Sequence, residues 1–396
     1  MTMVLDIACR DPIVARDGRP FGAGQGNRMR SLDWPLPSVL AGSLRTTLGK
    51  AAKRDFLGEA ARDLLQVEVA GPLPRANGQL YLPTPEDCVV HPKQGALRAA
   101  PHPQDGGGCD WPAAGLLPVG LTQTQAPQDF KPSEAPAWWP LHRYAAWLAG
   151  EDVVFDEYFL RVAEKEERTH VKIDPAVGAS EESQLFTTAA LALSHLPQYF
   201  ADDEAGRSRA ANGARRQRKF APITLSARVR ARGWCGEATA KLDALHPLGG
   251  ERRLAHWQAS ADTDAWKCPQ KVRDVLAQAR RVRMVLATPA IFSDGWKPGW
   301  LDDALVGSPP GADVVMQLMG VSIQRCKAVS GWSLAERPGQ PRGPKPVKRM
   351  VPAGGVYFFD IVGGKASRLA DRWLEPVSDD EQDRRDGFGL AAWGIW

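Results

Sequence analysis

Strand-like segments recur along the chain without the regular strand–helix–strand spacing of a parallel sheet, and this pattern constrains the fold most. The segments are short and either apolar or alternating, at residues 3–9, 225–234, 281–292, 318–332 and 354–362. A helix is predicted from Pro37 onward, because Leu40, Leu44 and Leu48 recur at the helical repeat. Strands separated by helices or by long loops favour the α+β class.

Length and composition set wide bounds on the function. The chain has 396 residues, enough for two or three domains, and a net charge of +4, which permits nucleic-acid binding without requiring it. Its six cysteines are few and scattered, which favours a reducing compartment with free thiols. Neither a signal peptide nor an apolar run long enough for a transmembrane helix stands out, so we expect a cytoplasmic protein without membrane contact.

Motifs for cofactor binding and for catalysis fail at decisive positions. In "FGAGQGN", Gly22 and Gly24 fit a dinucleotide-binding loop, but Asn27 occupies the third glycine position. No nucleophile motif of the form GxSxG is present. His170 in "RTHVKID" is the best single candidate for a general base, and no second group supports it. We therefore expect a protein that is not an enzyme and that carries no cofactor.

A zinc site is the one metal hypothesis that the sequence raises. Cys88, His91, His102 and Cys109 follow the spacing C-x2-H-x10-H-x6-C, and both residue types are good zinc ligands. The spacing matches no standard zinc motif, and the four residues lie in a segment crowded with proline and glycine. We therefore predict no metal site and keep structural zinc as the alternative.

Glycine–arginine segments are the features that remain, and together they indicate a surface for an anionic ligand. They lie at residues 16–22, 41–45, 168–172, 207–219, 248–253, 345–350 and 387–389. Arginine and lysine neutralise phosphates, and glycine-rich turns let backbone amides approach them. Phe21, Trp257 and Phe388 are candidates for stacking on unpaired bases, which favours single-stranded RNA. For "GGERR" the alternative is an Arg–Glu network that joins two domains.

The ordered set of motifs resembles a known family, the third subunit of the Cmr complex, which is a type III-B CRISPR effector subunit of the RAMP superfamily. The motifs run in family order from residue 10 to the C-terminus: "RDPIVARDGRPFG", "PSVLAGSLR", "GPLP", "THVKID", "LGGERR", "TPAIFSDGW", "VPAGGVYFF" and "GFGLAAWGIW". The resemblance implies two ferredoxin-like (RRM-like) domains with glycine-rich loops. It also implies a non-catalytic subunit that grips the 5′ handle of the guide RNA (crRNA). The implied partners are the large cyclase/polymerase-like subunit and the backbone RAMP subunits, with target RNA met only indirectly.

With this resemblance, the sequence predicts an N-terminal domain at 1–235, with inserts at 86–137 and 151–222, and a second domain at 236–396. Residues 91–137 are expected to be a long irregular insert. The candidate RNA-binding residues are Arg16, Arg19, Ser43, Arg45, His170, Lys172, Gly249, Gly250, Arg252, Arg253, Lys345, Lys348, Arg349, Gly387, Phe388 and Gly389. Two other functions stay open: a metal-independent endoribonuclease that processes precursor crRNA with His170, and a protein scaffold whose basic surface is incidental.

Overall fold

The computed structural model describes the chain except for Met1, Asp55, Leu57, Glu157, Cys235 and the ranges 17–26, 104–114, 123–129, 194–221 and 334–342. The helices are α1 (Pro37–Ala51), α2 (Gly58–Leu65), α3 (Leu141–Leu148), α4 (Gly236–Ala240), α5 (Gln270–Leu276) and α6 (Glu381–Asp386). Turns of 3₁₀ helix lie at Gly250–Arg252, Asp264–Trp266 and Ala366–Arg372.

The strands are mostly short and follow one another in this order: β1 (Thr2–Cys9), β2 (Asn27–Arg28), β3 (Glu68–Ala76), β4 (Gln79–Pro83), β5 (Cys88–His91), β6 (Gly95–Arg98), β7 (Ala100–Pro101), β8 (Val119–Gly120), β9 (Trp138–Pro140), β10 (Glu164–Ile173), β11 (Ser180–Ala192), β12 (Thr224–Arg230), β13 (Ala244–Pro247), β14 (Leu254–Ala259), β15 (Arg281–Leu286), β16 (Val306–Gly307), β17 (Val314–Ser322), β18 (Lys327–Val329), β19 (Trp332–Ser333), β20 (Gly343–Pro344), β21 (Lys348–Met350), β22 (Val356–Gly364), β23 (Glu375–Pro376) and β24 (Leu390–Ile395).

The first sheet has seven strands in the order β13-β14-β1-β12-β3-β4-β9, and its neighbours are antiparallel. Helix α1 covers one of its faces. Leu40, Leu44 and Leu48 of α1 pack in one cluster with Leu5 and Ile7 of β1, and all five are at most 1% exposed. The helical repeat of leucines and the alternation along β1 thus meet in one core, as their periodicities predict.

The second sheet has six strands in the order β16-β17-β22-β15-β24-β23, again with antiparallel neighbours. Its strand β22 begins with a continuous apolar run, Val356–Phe359, that is buried on both faces. Such a run, without alternation, is typical of a strand covered on both sides.

Buried ion pairs and a shared core join the two sheets. Arg228 and Arg230 of β12 both contact Glu375 of β23, at 2.9 Å and 2.8 Å. Arg283 of β15 also forms a fully buried ion pair with Asp87, in the turn that follows β4 of the first sheet. One apolar cluster contains residues of both sheets. Arg228 and Arg230, two positions apart on β12, therefore lie on the same face of the strand and contact the second sheet.

The observed elements confirm the α+β prediction and correct one detail of it. The helix beginning at Pro37 is present, and both main sheets are antiparallel. Within the predicted irregular insert, however, β5 pairs with β6 and β7 with β8. These strands have two to four residues, too few to show a period in the sequence. The first sheet takes β13 and β14 from beyond residue 235, and the division into domains at that residue stays a prediction.

Strands β10 and β11 form a long hairpin whose outer part is exposed, with β2 added parallel to β11 at its edge. A second excursion, between β17 and β22, forms two ribbons, β18 with β21 and β19 with β20. Among the described residues, no helix has both the length and the apolar character needed to cross a membrane.

Candidate nucleic-acid interface

A groove of about 1180 Å³ runs between α1 and the β18–β21 excursion. One wall is a face of α1, and the floor includes the turn after β13. The opposite wall comes from the second half of the chain, at Ala328–Gly331 and Lys345. Six of the predicted RNA-binding residues line this one groove: Arg16, Ser43, Gly249, Gly250, Arg252 and Lys345. Segments that are far apart in the sequence thus form a single concave surface.

The groove is cationic. Five basic side chains line it, and no Asp or Glu is present among the described lining residues. The basic residues are Arg16, Lys50, Lys241, Arg252 and Lys345. Cations on both walls of a concave surface create a potential that attracts a polyanion and releases its counterions on binding.

The N-terminus of α1 adds to this potential. Pro37 occupies the first helical turn, no side chain caps the helix, and the first turn contains no acid. Leu36, Ser38 and Val39 at this end all line the groove. The backbone amides of the first turn and the helix dipole favour an anion at that position.

Small residues line the α1 wall where the leucines face away. Gly42, Ser43 and Thr46 lie on the groove side, and Lys50 follows one turn later. The Thr46 hydroxyl donates to the Gly42 carbonyl at 2.8 Å, a bond that turns the side chain back onto the helix. A ligand can therefore approach the helix backbone closely along this wall.

The "LGGERR" turn presents Arg252 to the groove and turns Arg253 away from it. Gly250 N–H donates to the Val14 carbonyl at 2.9 Å, and a side chain on Gly249 would clash with that oxygen at 2.8 Å. Glu251 and Arg252 follow with positive φ of 57° and 52°. Such strain, of order 1–3 kcal/mol per residue, is typical of functional sites.

Arg253 has a different role from Arg252. Its guanidinium contacts Glu251 at 2.7 Å, and it does not line the groove. Arg253 thus pairs with an acid of its own turn, whereas Arg252 is exposed at the groove, and the Arg–Glu network that joins two domains stays a prediction. The two adjacent arginines are chemically alike and structurally distinct.

Lys348 and Arg349 lie at a second, smaller cavity of about 540 Å³ that is rich in acids. Lys348 contacts Asp383 at 2.7 Å. Burial raises the pKa of Asp383, and the hydrogen bond from Lys348 opposes that rise. Asp379 at the same cavity accepts backbone N–H bonds from Ser293 and Gly299, both at 2.8 Å. The acids here satisfy the protein's own donors, so this cavity is a weaker anion site than the groove.

His170 and Lys172 lie on the exposed β10–β11 hairpin and do not line the groove. His170 Nε2 contacts the Thr188 hydroxyl at 2.8 Å, and its ring stacks on Phe186 with centroids 5.2 Å apart. Arg19 and Phe21 lie outside the described residues, as does the basic loop at 207–219. The hairpin is therefore a surface separate from the groove.

The zinc alternative gains no geometric support from the described residues, where no group of three or more possible ligands comes together. Burial raises the pKa of the Cys88 thiol, which disfavours the thiolate that zinc binds. His91 Nδ1 accepts backbone N–H bonds from Lys93 and Gln94, and His102 Nδ1 contacts the Ala100 carbonyl. Cys109 lies outside the described residues.

Comparison with known proteins now adds to this geometry. The family model of the CRISPR-associated protein (Cas_Cmr3) matches residues 5–396. The chain belongs to this family. The match confirms the resemblance drawn from the ordered motifs, because it spans the same stretch of sequence. No curated protein matches the chain.

Two solved structures illustrate what the fold is similar to. A chain of "Cryo-EM structure of the Type III-B Cmr-beta bound to cognate target RNA" is 12% identical, with 90% of this chain and 86% of that chain covered and a TM-score of 0.46. A chain of "Crystal structure of Csm3-Csm4 subcomplex in the type III-A CRISPR-Cas interference complex" is 9% identical, with 91% and 94% covered and a TM-score of 0.41.

The segment "GFG" at residues 387–389 belongs to the core, which corrects the expectation that it contacts RNA. Phe388 is 2% exposed and packs with Ile291, Val329 and Met350, with Leu36 against the same cluster. Gly387 ends α6 with φ of 93°, and an added Cβ would lie 2.4 Å from the Val69 carbonyl.

Gly389 is equally confined. A Cβ there would lie 2.6 Å from Ser378 Oγ. Because Val329 and Met350 belong to the β18–β21 ribbon and Leu36 precedes α1, the Phe388 cluster connects the two walls of the groove. The segment 387–389 therefore positions the groove without lining it.

Arg45 is the other predicted contact that the structure buries. It forms an ion pair with Asp386 and donates to the Val67 carbonyl at 2.7 Å. With 8% of its side chain exposed, it offers no surface to RNA. Ser43 and Arg45, two positions apart, project from different sides of α1, as the helical repeat requires.

Lys50, Lys241 and His246 line the groove and were not singled out from the sequence, whereas Gly42 lies within the predicted segment 41–45. A signal existed for Lys50, which follows Ser43 by seven positions and so shares its face of α1. Lys241 carries no such signal, because its position depends on how α4 and β13 pack beside α1. Only the folded chain brings it to the groove.

Proposed function

We propose that this chain is the guide-RNA-binding subunit of a type III-B CRISPR effector complex, and that the groove holds the 5′ handle of crRNA. The observation that carries the proposal is the cationic groove itself. In a member of the Cas_Cmr3 family, five basic residues and no described acid line one continuous concavity. Neutralisation of phosphates is the chemistry that this lining supports best.

The groove holds the RNA mainly by its backbone. Of the aromatic residues expected to stack on bases, Trp257 is 0% and Phe388 is 2% exposed, and neither lines the groove, while Phe21 lies outside the described residues. Contacts to phosphate and sugar fix the position and direction of a strand without reading its sequence. Recognition of the handle's bases then falls to neighbouring subunits or to residues outside the described chain.

Both sheets support the proposal of two ferredoxin-like domains. In the first sheet, β1, β3, β12 and β14 stand in the order β14-β1-β12-β3. In the second sheet, β15, β17, β22 and β24 stand in the order β24-β15-β22-β17. When the four strands of each set are numbered in chain order, both sheets have the strand order 4-1-3-2. A shared order in two halves supports two related units that meet at a common core.

The proposed function also implies which partners the chain binds. It binds crRNA directly, contacts the large cyclase/polymerase-like subunit and a backbone RAMP subunit, and meets target RNA only through them. The outer part of the β10–β11 hairpin supports this assignment, because a two-stranded ribbon that is exposed to solvent gains stability from a neighbour.

We further propose that the chain does not cleave RNA itself. Metal-independent cleavage needs a base, an acid and a group that stabilises the developing charge. The described contacts of His170 are with Thr188 and Phe186, and neither of these is an acid or a base at neutral pH. Guide-RNA precursor incubated with the full chain and a chelator is expected to stay intact, and defined cleavage products would overturn this part of the proposal.

Equilibrium binding of crRNA to the full chain tests the function. The test variant carries Lys50→Glu and Lys241→Glu, both in the groove. The control carries Lys131→Glu and Lys365→Glu, two exposed lysines that do not line it. Each pair changes the net charge from +4 to zero, so the two variants differ only in where the charge changes.

We expect the groove variant to lose at least about tenfold in affinity and the control to lose much less, because each phosphate contact contributes separately. Equal losses in the two variants would show that binding follows overall charge. No measurable RNA binding by the wild-type chain or its assembled complex would favour a protein scaffold.

A further inference from the structure

Gly42 is an interior helix residue for which the fold itself gives no reason. It lies in the sixth position of the fifteen-residue helix α1, is exposed, and has no positive φ. A Cβ built on it meets no atom of the described residues within 4 Å. Glycine inside a helix destabilises it relative to alanine, because the chain loses more conformational freedom on folding. An alanine would therefore fit at this position and stabilise the helix.

Gly49, in the same helix, shows what a structural requirement looks like. A Cβ on Gly49 would lie 2.8 Å from Phe56 Cε1 and 3.0 Å from Leu64 Cδ1, so packing against the following segment excludes a side chain. Nothing comparable surrounds Gly42. The two glycines of α1 thus have different causes, and packing against the described residues does not account for Gly42.

The position of Gly42 in the groove supplies that cause. It lies between the amide-rich N-terminus of α1 and Lys50, on the wall that faces the ribbon at Ala328–Gly331. Arg252 and Lys345 flank the same concavity. A strand whose phosphates contact cations on both walls has to cross the helix between its N-terminus and Lys50. Among the α1 residues that line the groove, Gly42 is the one without a side chain.

We propose that Gly42 is the position at which the RNA backbone makes its closest approach to α1. This inference rests on the proposed function, since it assumes that the groove holds RNA. Any side chain at position 42 holds the strand away from the helix and from the phosphate-binding groups on either side. The bare backbone at Gly42 thus admits a sugar–phosphate chain against the helix.

The inference predicts that stability and affinity change in opposite directions, which no purely structural role produces. Gly42→Ala raises the Tm of the full chain, because it removes the helix penalty without a clash. The same variant weakens binding of a short labelled single-stranded oligouridine about threefold, and Gly42→Leu weakens it more than about tenfold. The slope of log Kd against log salt stays unchanged, because no charge is removed.

Gly236→Ala is the matched control. Gly236 is also exposed and helical, a Cβ there also meets nothing within 4 Å, and it does not line the groove. We expect this variant to bind the oligouridine like the wild type. Wild-type affinity in both Gly42 variants would overturn the inference and leave the proposed function standing, as would a lower Tm in Gly42→Ala. Failure of the wild-type chain to bind would overturn both.

Discussion

Arg45 of α1 and Asp386 of α6 form a buried ion pair between residues 341 positions apart in the sequence. Arg45 also donates to the carbonyl oxygens of Val67 and Arg385, at 2.7 Å and 3.1 Å. The pair fixes α1, one wall of the groove, to the C-terminal segment that carries Phe388. Because Phe388 packs against the ribbon that forms the other wall, the two walls are held by adjacent elements.

Replacing Arg45 by alanine therefore affects stability first. It leaves the Asp386 carboxylate buried without its cation, and we expect the free energy of unfolding to fall by about 3–5 kcal/mol. Urea unfolding of the full chain measures this loss. Lys50→Ala on the same helix is the control, and we expect little change in stability with weaker RNA binding. An Arg45→Ala variant with wild-type stability and weaker RNA binding would contradict a structural role for the Arg45–Asp386 ion pair.

Arg252 and Arg253 offer the sharpest pair for the groove. Arg252→Ala is expected to weaken crRNA binding and to reduce the slope of log Kd against log salt by about one unit, since one phosphate contact is lost. Arg253→Ala removes a neighbour that contacts Glu251 instead, and we expect the slope to stay at the wild-type value. Titrations over a range of salt concentrations compare the two, and identical slopes in both variants would contradict the distinction.

Phe388 is expected to act on the groove through the ribbon. Phe388→Ala leaves a cavity among Ile291, Val329 and Met350 and should cost about 3–5 kcal/mol. Phe388→Leu keeps most of the volume and the chain folded. In the leucine variant we expect faster hydrogen exchange at Lys327–Val329 and Lys348–Met350 and a weaker affinity for RNA. Unchanged exchange in both strands would show that Phe388 does not hold the ribbon.

The contact between the sheets predicts a dependence on pH. Burial tends to raise the pKa of Glu375, but the hydrogen bond from Arg230 and the charge of Arg228 outweigh it, so the pKa lies below its usual value of 4.5. A carboxyl group whose pKa is lowered on folding stabilises the folded state above its unfolded pKa and loses this contribution as pH falls.

Thermal unfolding as a function of pH measures that contribution. The Tm of the wild type should exceed that of Glu375→Gln at neutral pH, and the gap should shrink as pH falls below about 4.5. A gap that is constant from neutral pH into that acidic range would mean that the ionised form of Glu375 contributes nothing to the contact.

The sequence predicted the elements better than their partners. The spacing of Leu40, Leu44 and Leu48 predicts α1 and its buried face, because helical periodicity is a local property of the sequence. Arg252 and Arg45 carry the same charge in similar glycine–arginine contexts, yet one is exposed and the other buried. That difference depends on Asp386, far away in the chain, and no local pattern encodes it. Phe388 was misplaced for the same reason, since an aromatic residue between glycines is compatible with a core and with a surface.

Photo-crosslinking of crRNA in the purified, assembled complex tests the central claim most directly. Peptides joined to the 5′ handle are identified by mass spectrometry, without any substitution in the protein. We expect crosslinks in Pro37–Ala51, in the turn at Gly250–Arg252 and near Lys345, the segments that line the groove. Crosslinks confined to the β10–β11 hairpin, or absent from this subunit, would contradict it.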